Sequence, residues 1–247
     1  MASRGGQELA EKVALITGGS RGIGRAIAWA YTRAGAKVFI CGRDEKNLRA
    51  TVDEIRLGGG EIDGLAGDVG SLNDVQRIVS AAAQRYGTIH VLVNNASILG
   101  PRDTIANYPP PAWQEVLRIN LTGIFFITQA VLPIMSDRGS GSIINVTSGV
   151  GRRGKARWGA YAVSKAGVES LTQVLADEVS RAGIRVNSVN PAATRTRMRA
   201  QAYPSEDPLT LPMPDEILPL FLYLASDASA GVSGQSLEAR DWHKSRD

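Results

Sequence analysis

Short apolar runs alternate with longer amphipathic stretches along most of the chain. The runs read as near-continuous Val, Ile and Leu without polar alternation, a pattern typical of strands that are buried on both faces. The intervals between them are long enough for the crossover helices that parallel strands require. The pattern predicts seven strands, at residues 13–17, 37–41, 62–69, 90–96, 142–148, 185–191 and 234–239.

Helix boundary signals lie between these runs. The first helix is predicted to begin at Gly22 and to end near Gly35, and Ser71 with Asp74 resembles the N-terminal cap of the third. Three prolines precede a long helix predicted over residues 113–135. Strands and helices that alternate in this way predict an α/β fold, a single doubly wound Rossmann-type domain with helices on both faces of a mostly parallel sheet.

One domain accounts for the chain, since no internal repeat or second domain is visible in the sequence. At 247 residues with 43% hydrophobic content, the chain can supply one large core. We expect the domain to span residues 11–240, with flexible tails at 1–10 and 241–247.

Composition argues against several classes of protein. The net charge of +4 results from 28 basic residues, 22 Arg and 6 Lys, against 24 acidic ones. The basic residues are spread along the chain without an aromatic-interleaved basic block, so nucleic-acid binding is disfavoured. Cys41 is the only cysteine, and its apolar surroundings VFIC indicate a buried strand thiol. The N-terminus lacks an apolar run with basic flanks, and no later stretch approaches the roughly 18 uncharged apolar residues of a membrane span. We expect a soluble, cytoplasmic protein.

A glycine-rich loop, residues 17–24 with the sequence TGGSRGIG, follows the first strand and begins the first helix. Its backbone amides and the helix dipole therefore face an anionic group, and a pyrophosphate fits there. Glycine permits the tight turn and close backbone approach that a side chain would block, although such stretches also occur in ordinary turns.

The spacing G-x-x-x-G-x-G of this loop differs from the common dinucleotide fingerprint G-x-G-x-x-G. Here the chain resembles the short-chain dehydrogenase/reductase family, whose short members carry T-G-x-x-x-G-x-G near the N-terminus. The resemblance extends from residue 12 to about 239, with further motifs in the family's order: Asp68-Val69, Asn94-Asn95-Ala96, Asn120, Ser148 and Tyr161-Ala-Val-Ser-Lys165.

Tyr161 and Lys165 are four residues apart and would share one face of a helix, where a serine at the end of the neighbouring strand can point at the same cleft. An ammonium about 4 Å from the phenol contributes on the order of 4 kcal/mol at an effective dielectric of about 20, which would lower the Tyr161 pKa from about 10 toward about 7. Tyr161 could then give a proton to a carbonyl oxygen as hydride arrives at carbon, or remove it from an alcohol. The alternative is that Tyr161 and Lys165 are simply two neighbouring side chains on the surface of a helix.

The resemblance implies further catalytic roles. Ser148 would hydrogen-bond and polarise the substrate oxygen, Lys165 would also hold the nicotinamide ribose, and Asn120 would fix a water that relays protons to solvent. Taken singly, Ser148 could equally be a helix cap and Asn120 a buried amide. His90 and His243 have no plausible triad or metal partner, so no metal site is expected.

The resemblance also implies a nicotinamide dinucleotide cofactor. Asp68 and the Val69 backbone would recognise adenine, Asn94 and Ala96 would line the adenosine side, and Thr196 would lie near the carboxamide. The predicted cofactor-binding residues are Gly18, Ser20, Arg21, Gly22, Ile23, Gly24, Arg43, Asp68, Val69, Asn94, Ala96, Tyr161, Lys165, Pro191 and Thr196.

The segment after the second strand predicts which dinucleotide is used. NAD-using relatives place an acidic residue there for the ribose hydroxyls, whereas this chain has Gly42. Arg43 with Arg21 could form a planar, permanently charged clamp on a 2′-phosphate. We therefore expect NADP(H), with NADPH preferred over NADH. The alternative is that both arginines are solvated and that Asp44 competes for Arg43.

Departures from the family pattern bear on the site and on assembly. Ser97 and Ala192 stand where the family usually has glycine, which puts the geometry of the cofactor loops in doubt. The chain also lacks the V-D-G-G ending of many relatives, in a region that often packs near a subunit interface in the family. The resemblance implies a homo-oligomer, a tetramer or dimer.

The substrate cleft should be lined by residues 97–103, 149–158 and 193–214, because ligands bind beyond the carboxyl ends of such strands. Basic side chains in these segments would suit an anionic substrate or an acidic acyl carrier protein, although a solvated basic rim explains them equally well. They are Arg152, Arg153, Lys155, Arg157, Arg195, Arg197 and Arg199.

Two kinds of oxidoreductase fit this pattern, a 3-oxoacyl-carrier-protein reductase and a reductase of a small ketone, sugar or steroid-like alcohol. Two interpretations from other classes are an inactive dinucleotide-binding sensor and an isomerase like the family's longer members. The intact Asn120, Ser148, Tyr161 and Lys165 set argues against the sensor, and the glycine spacing and short length argue against the isomerase.

Overall fold

Seven parallel strands form one sheet in a computed structural model that describes residues 7–240 and 242. The strands are β1 Val13–Thr17, β2 Lys37–Gly42, β3 Ile62–Ala66, β4 Val91–Asn94, β5 Gly141–Val146, β6 Ile184–Asn190 and β7 Ser236–Glu238. Their order is β3-β2-β1-β4-β5-β6-β7, and every neighbouring pair is parallel. The predicted doubly wound α/β fold is confirmed. Because the order reverses between β1 and β4, a crevice opens at the carboxyl ends of these two strands.

Several strands end earlier than the apolar pattern predicts. β3 ends at Ala66 rather than at residue 69, because the chain turns away from the sheet after it. The Asp68 backbone N–H donates to the Asp74 carboxylate instead of to a neighbouring strand. β4 ends at Asn94, which leaves the next residues free to form a loop beside the crevice.

Helices cover both faces of the sheet, because each connection between parallel strands crosses over it. They are α1 Gly22–Arg33, α2 Glu45–Leu57, α3 Leu72–Tyr86, α4 Pro110–Leu117, α5 Gly123–Arg138, α6 Gly149–Arg152, α7 Gly159–Glu178, α8 Arg197–Ala202 and α9 Leu218–Ala225. One core lies between the sheet and helices α1, α2 and α9, with Tyr31 and Phe221 fully buried. The other lies against α3, α5 and α7, with Ile78 and Val131 at its centre.

The predicted long helix is interrupted by a π-turn. Residues Arg118–Thr122 join α4 to α5, and the Gly123 N–H donates to the Arg118 carbonyl, a step of five residues. Pro110–Arg138 is 29 residues long and apolar enough, by length and composition alone, to cross a membrane. The sequence analysis expected no stretch with the length and apolar composition of a membrane span, and that expectation is wrong for this segment. Its apolar side chains Ile127 and Met135 are buried in the core, which accounts for its composition.

Both predicted tails are in part packed against the domain. Leu9 is fully buried, and its N–H donates to the Ala34 carbonyl at 2.9 Å, so this residue packs against the domain. Trp242 stacks on Tyr223 with ring centroids 4.9 Å apart. The rest of the tails, residues 1–6, 241 and 243–247 with His243, lies outside the described residues.

Candidate active site

A cleft of about 980 Å³ opens at the carboxyl ends of the strands. It brings together most of the residues that the sequence singled out, although they are distributed over the whole chain. The predicted residues that line it are Gly18, Ser20, Arg21, Gly22, Ile23, Arg43, Asp68, Val69, Ala96, Ser148, Tyr161, Lys165, Pro191 and Thr196. Gly24, Asn94 and Asn120 do not line it.

The glycine loop between β1 and α1 has a shape that side chains would block. Gly18 has a φ of +65°, and a Cβ there would lie 2.9 Å from Asn95 Nδ2. Gly22 also has a positive φ of +54° and faces open space, where the nearest atom to an added Cβ is Thr196 Cγ2 at 3.7 Å. Gly24 has a different function from the predicted cofactor contact, since a Cβ there would clash with the Gly18 carbonyl. It permits close packing of α1 on the loop.

The first turn of α1 is free to bind an anion. Arg21 is at the N-cap position and its side chain makes no capping hydrogen bond. The first backbone amides of a helix lack partners within the helix, and they carry its positive dipole end. With the open space at Gly22, this turn fits a phosphate group, and the long cleft fits a dinucleotide.

Asn95, which the sequence analysis did not assign to the site, holds the glycine loop in place. Its Nδ2 donates to the Thr17 carbonyl at 2.9 Å and to the Gly18 carbonyl at 3.1 Å. The Thr17 hydroxyl in turn accepts from the backbone amides of Asn95 and Ala96, both at 3.0 Å. The Asn-Asn-Ala motif is the only sequence signal that could have indicated this contact.

Asn94 points into the core, which contradicts the expectation that it lines the adenosine side. Its Nδ2 donates to Thr128 Oγ1 at 3.1 Å and to Asn145 Oδ1 at 2.8 Å. Thr128 belongs to α5 and Asn145 to β5, so the Asn94 side chain lies between the sheet and a helix and is turned away from the cleft. The expectation is wrong for Asn94, and Asn95 is the amide that lines the cleft.

Tyr161 lies in the first turn of α7, inside the cleft and only 7% exposed. Burial raises its pKa to about 12, and its hydrogen bonds with the Ser148 and Ser97 hydroxyls act in the opposite direction. Ser148 is at the N-cap position of α6 but makes no capping bond. The helix-cap alternative for Ser148 therefore fails, and its hydroxyl is available beside Tyr161.

Lys165 is 2% exposed and lies one helical turn below Tyr161. Its Nζ donates to the Val146 carbonyl at 2.8 Å and is 5.7 Å from the centroid of the Tyr161 ring. Burial lowers its pKa to about 8, and the carboxylate of Glu169 acts in the opposite direction. In this arrangement the expected lowering of the Tyr161 pKa toward about 7 does not occur, because desolvation of the phenol outweighs other effects.

The Asn120 side chain is fully buried and does not line the cleft. Its Oδ1 accepts from the Ile98 N–H at 2.8 Å, and its Nδ2 donates to the Ile98 carbonyl at 2.9 Å and to Ser164 Oγ at 3.2 Å. It thus ties the loop after β4 to α7.

An ion-pair network lies at the other end of the cleft. Asp68 accepts from Arg118 Nη2 at 2.7 Å, and Arg118 Nε donates to Glu115 at 2.7 Å. Arg43 Nη1 is 3.7 Å from the same Glu115 carboxylate. Neither Arg118 nor Glu115 was predicted to belong to the site. They come from the helical segment that packs beside β4, a contact that sequence spacing does not reveal.

Arg43 and Arg21 both line the cleft beside Gly42. The alternative that Asp44 competes for Arg43 is wrong, because Asp44 caps α2 by accepting from the Asn47 N–H at 3.0 Å. The partner of Arg43 is Glu115, at a distance too long for a strong hydrogen bond and with half of the Arg43 side chain exposed. An anionic group that enters this part of the cleft could therefore bind to both Arg21 and Arg43.

The two non-glycine positions in the cofactor loops differ in their backbone. Ala192 has a φ of +57°, so alanine occupies a left-handed conformation that glycine adopts more readily. Ser97 is absent from the residues with positive φ in the described chain, and it needs no glycine. The concern about loop geometry therefore applies to Ala192 alone.

The substrate end of the cleft is lined by Ser97, Leu99 and Arg102 after β4, by Trp158 before α7, and by Met198 and Gln201 of α8. Two of the seven predicted basic side chains form ion pairs with acidic side chains of the domain. Arg152 pairs with Glu169 and Glu238, and Arg199 with Glu206. No cluster of three or more His, Cys, Asp or Glu suited to a metal occurs among the described residues.

The sequence profile described as short chain dehydrogenase matches residues 12–207. The chain is 38% identical over 242 residues to the uncharacterized oxidoreductase YciK of Escherichia coli K12, covering 96% of this chain and 94% of that protein. It is 37% identical over 234 residues to the 3-oxoacyl-[acyl-carrier-protein] reductase FabG of Thermotoga maritima, covering 91% and 94%. The fold is similar to the crystal structure of a short-chain dehydrogenase from Shigella flexneri 2a complexed with NADP, with a TM-score of 0.91 and 38% identity over 95% of this chain and 99% of that one. The chain therefore belongs to the short-chain dehydrogenase family of NAD(P)-dependent oxidoreductases.

Proposed function

We propose that this oxidoreductase transfers a hydride between NADP(H) and a carbonyl or secondary alcohol substrate, with Tyr161 as the general acid and base. The observation that carries the proposal is that Tyr161, Ser148 and Lys165 line the same cleft as the glycine loop, with the Ser148 hydroxyl near enough to Tyr161 to lower its pKa. The bound nicotinamide would supply or accept the hydride. The residues of this chain then have to bind the substrate oxygen and move one proton.

The high pKa of Tyr161 suits it to donate that proton. With a pKa of about 12, the phenol keeps its proton at neutral pH and can give it to a carbonyl oxygen that gains charge. Ser148 would hydrogen-bond the same oxygen and polarise it. In the reverse direction Tyr161 must lose its proton, which a turn of the Lys165 ammonium from the Val146 carbonyl toward the phenol would favour.

Lys165 and Asn120 would complete the proton path. With a pKa of about 8, Lys165 can pass a proton on near neutral pH, and it can also hold the nicotinamide ribose. A water on the π-turn backbone at Asn120 would connect Lys165 to solvent. On this proposal, Tyr161→Phe lowers kcat by at least 100-fold, on the order expected for loss of a general acid, while NADPH affinity stays nearly unchanged. Retained activity in Tyr161→Phe would reject Tyr161 as the acid.

We further propose a preference for NADPH over NADH. Gly42 removes the carboxylate that would repel a 2′-phosphate, and the guanidinium groups of Arg21 and Arg43 border the same part of the cleft. The NADP bound to the Shigella relative supports this assignment. Arg43→Met should lower kcat/KM for NADPH roughly 10-fold or more relative to NADH. Arg49→Met is the matched control, since Arg49 pairs with Glu45 on α2 outside the cleft. Equal kcat/KM values for the two cofactors in the wild type would contradict the preference.

Two substrate classes fit the proposed reaction. The Thermotoga relative is a reductase of 3-oxoacyl chains on a carrier protein, and this supports a similar activity here. A small ketone, sugar or steroid-like alcohol is the second candidate. Oxidation of NADPH, followed by loss of nicotinamide absorbance over a panel of ketones, distinguishes the classes. A protein that binds NADPH but reduces no ketone would favour the sensor interpretation. We also retain the expectations of a cytoplasmic homo-oligomer.

A further inference from the structure

A guanidinium group is held rigidly on the substrate side of the cleft. Arg102, in the loop after β4, donates through Nε to the Arg157 carbonyl at 3.1 Å and through Nη1 to the Ala202 carbonyl at 2.6 Å. Its Cζ is 4.3 Å from the centroid of the Trp158 ring and 5.2 Å from that of Tyr203. Two carbonyls and two aromatic rings therefore hold the Arg102 side chain in one position.

The charge of Arg102 is not balanced by a carboxylate. Within residues 7–240 and 242, no Asp or Glu oxygen lies within 4.0 Å of its nitrogen atoms, whereas the nearby Arg199 forms an ion pair with Glu206. The acidic residues that line the cleft, Asp44 and Asp68, are at the opposite, Arg43 end. A guanidinium has five N–H donors, and the two carbonyls use two of them. Three donors and a full positive charge remain for a ligand.

Trp158 lies between Arg102 and Tyr161 on the same wall. It is 7% exposed and lines the cleft. The Trp158 ring centroid is 5.5 Å from that of Tyr161. With the Arg102 contact, this places the Arg102 Cζ within about 10 Å of the Tyr161 ring.

We infer that Arg102 binds a carboxylate of the substrate, so that the enzyme interconverts short oxo acids and hydroxy acids. The inference rests on the proposed hydride-transfer function and assigns its substrate class. A planar guanidinium presents parallel N–H groups that match the two oxygens of a carboxylate. The distance to Tyr161 limits the carbonyl and the carboxylate to a separation of a few bonds.

The reaction balances with the groups that are named. The carbonyl carbon gains the hydride of NADPH, and its oxygen gains the Tyr161 proton, so that a C–H and an O–H bond replace the C=O π bond. The oxo acid is reduced by two electrons to a hydroxy acid, and the dinucleotide is left as NADP⁺. The carboxylate takes no part in the bond changes. It stays on Arg102 and orients the carbonyl toward Tyr161 and Ser148.

The test compares oxo acids with their methyl esters, which keep the carbonyl and remove the charge. In the wild type, kcat/KM for 2-, 3- and 4-oxo acids should exceed that for the matching ester in at least one pair. Arg102→Met keeps an apolar stem over Trp158 but removes the donors, and it should lower the acid-to-ester ratio on the order of 10- to 150-fold. The matched control is Arg33→Met, because Arg33 also lies over an indole, at 4.8 Å from Trp29, but outside the cleft. The acid-to-ester ratio of kcat/KM for Arg33→Met should stay within about twofold of the wild-type ratio.

Several results would overturn the inference. They are an ester preference in every wild-type pair, an unchanged ratio in Arg102→Met, or a ketone phosphate monoester that is reduced better than every oxo acid. If the protein binds NADPH but turns over neither member of any pair, the proposed function fails separately. Equilibrium binding of the hydroxy acids to the NADP⁺ complex then decides the Arg102 assignment. Binding that is lost in Arg102→Met supports it, and no binding in the wild type overturns it.

Discussion

Lys165 imposes a cost on folding that a pH titration can measure. A lysine with a pKa of 10.5 in the unfolded chain and about 8 in the folded protein binds its proton less tightly after folding. Above about pH 10.5 the lysine is neutral in both states, and the cost is absent. As the pH falls from there to about 8, the unfolded chain takes up the proton first and is stabilised. The free energy of unfolding is therefore lowered by about 3 kcal/mol below about pH 8.

Lys165→Met removes this titration. Relative to the wild type, the variant should gain about 3 kcal/mol near pH 7, offset by about 1 kcal/mol for the lost hydrogen bond to the Val146 carbonyl. The difference between the two proteins should shrink and change sign as the pH rises to about 10.5. Cys41, whose pKa burial raises to about 12, opposes the trend in both proteins and cancels in the difference.

The assay is urea unfolding followed by tryptophan fluorescence at several pH values. Lys46→Met, at an exposed position on α2, controls for the loss of one positive charge. A stability difference between wild type and Lys165→Met that stays constant with pH would refute the reasoning. It would mean that Lys165 keeps its ordinary pKa in the folded protein, and that the low pKa in the proposed proton path is wrong.

Three more substitutions test other contacts. Ser97→Ala removes a hydrogen bond that lowers the Tyr161 pKa, so the loss of reductase activity at high pH should move to higher pH; a shift to lower pH would contradict the assigned contact. Ala192→Gly relieves the φ of +57° and should raise the free energy of unfolding by up to about 1 kcal/mol, measured in urea, and a destabilised variant would show that the loop is unstrained. Asn95→Ala removes the side-chain donor to the Thr17 and Gly18 carbonyls, so it should cost about 1 to 3 kcal/mol of stability and raise the KM for NADPH. An unchanged KM would refute the role of Asn95 in the glycine loop.

Local features of the chain were sufficient to predict the fold and most of the cleft. The strand pattern and the glycine spacing are local, and parallel strands always bring their carboxyl ends to one edge. This is why Ser148 and Tyr161 meet in the structure although they come from separate elements. The directions of individual side chains were less predictable. Asn94 and Asn120 match the motifs, yet both point into the interior and hold the framework of the site.

By itself, the amino-acid sequence determined the positions of the strands, the anion-binding turn and the placement of Tyr161 one helical turn from Lys165, because these depend on short-range spacing. Only the tertiary structure decided how strongly these groups are desolvated and which charges compensate one another. Burial raises the Tyr161 pKa where spacing alone predicted a decrease, and Glu115 rather than Asp44 lies beside Arg43. Arg102 is uncompensated for the same reason, since desolvation and ion pairing depend on segments that are distant in the chain and meet only in the folded protein.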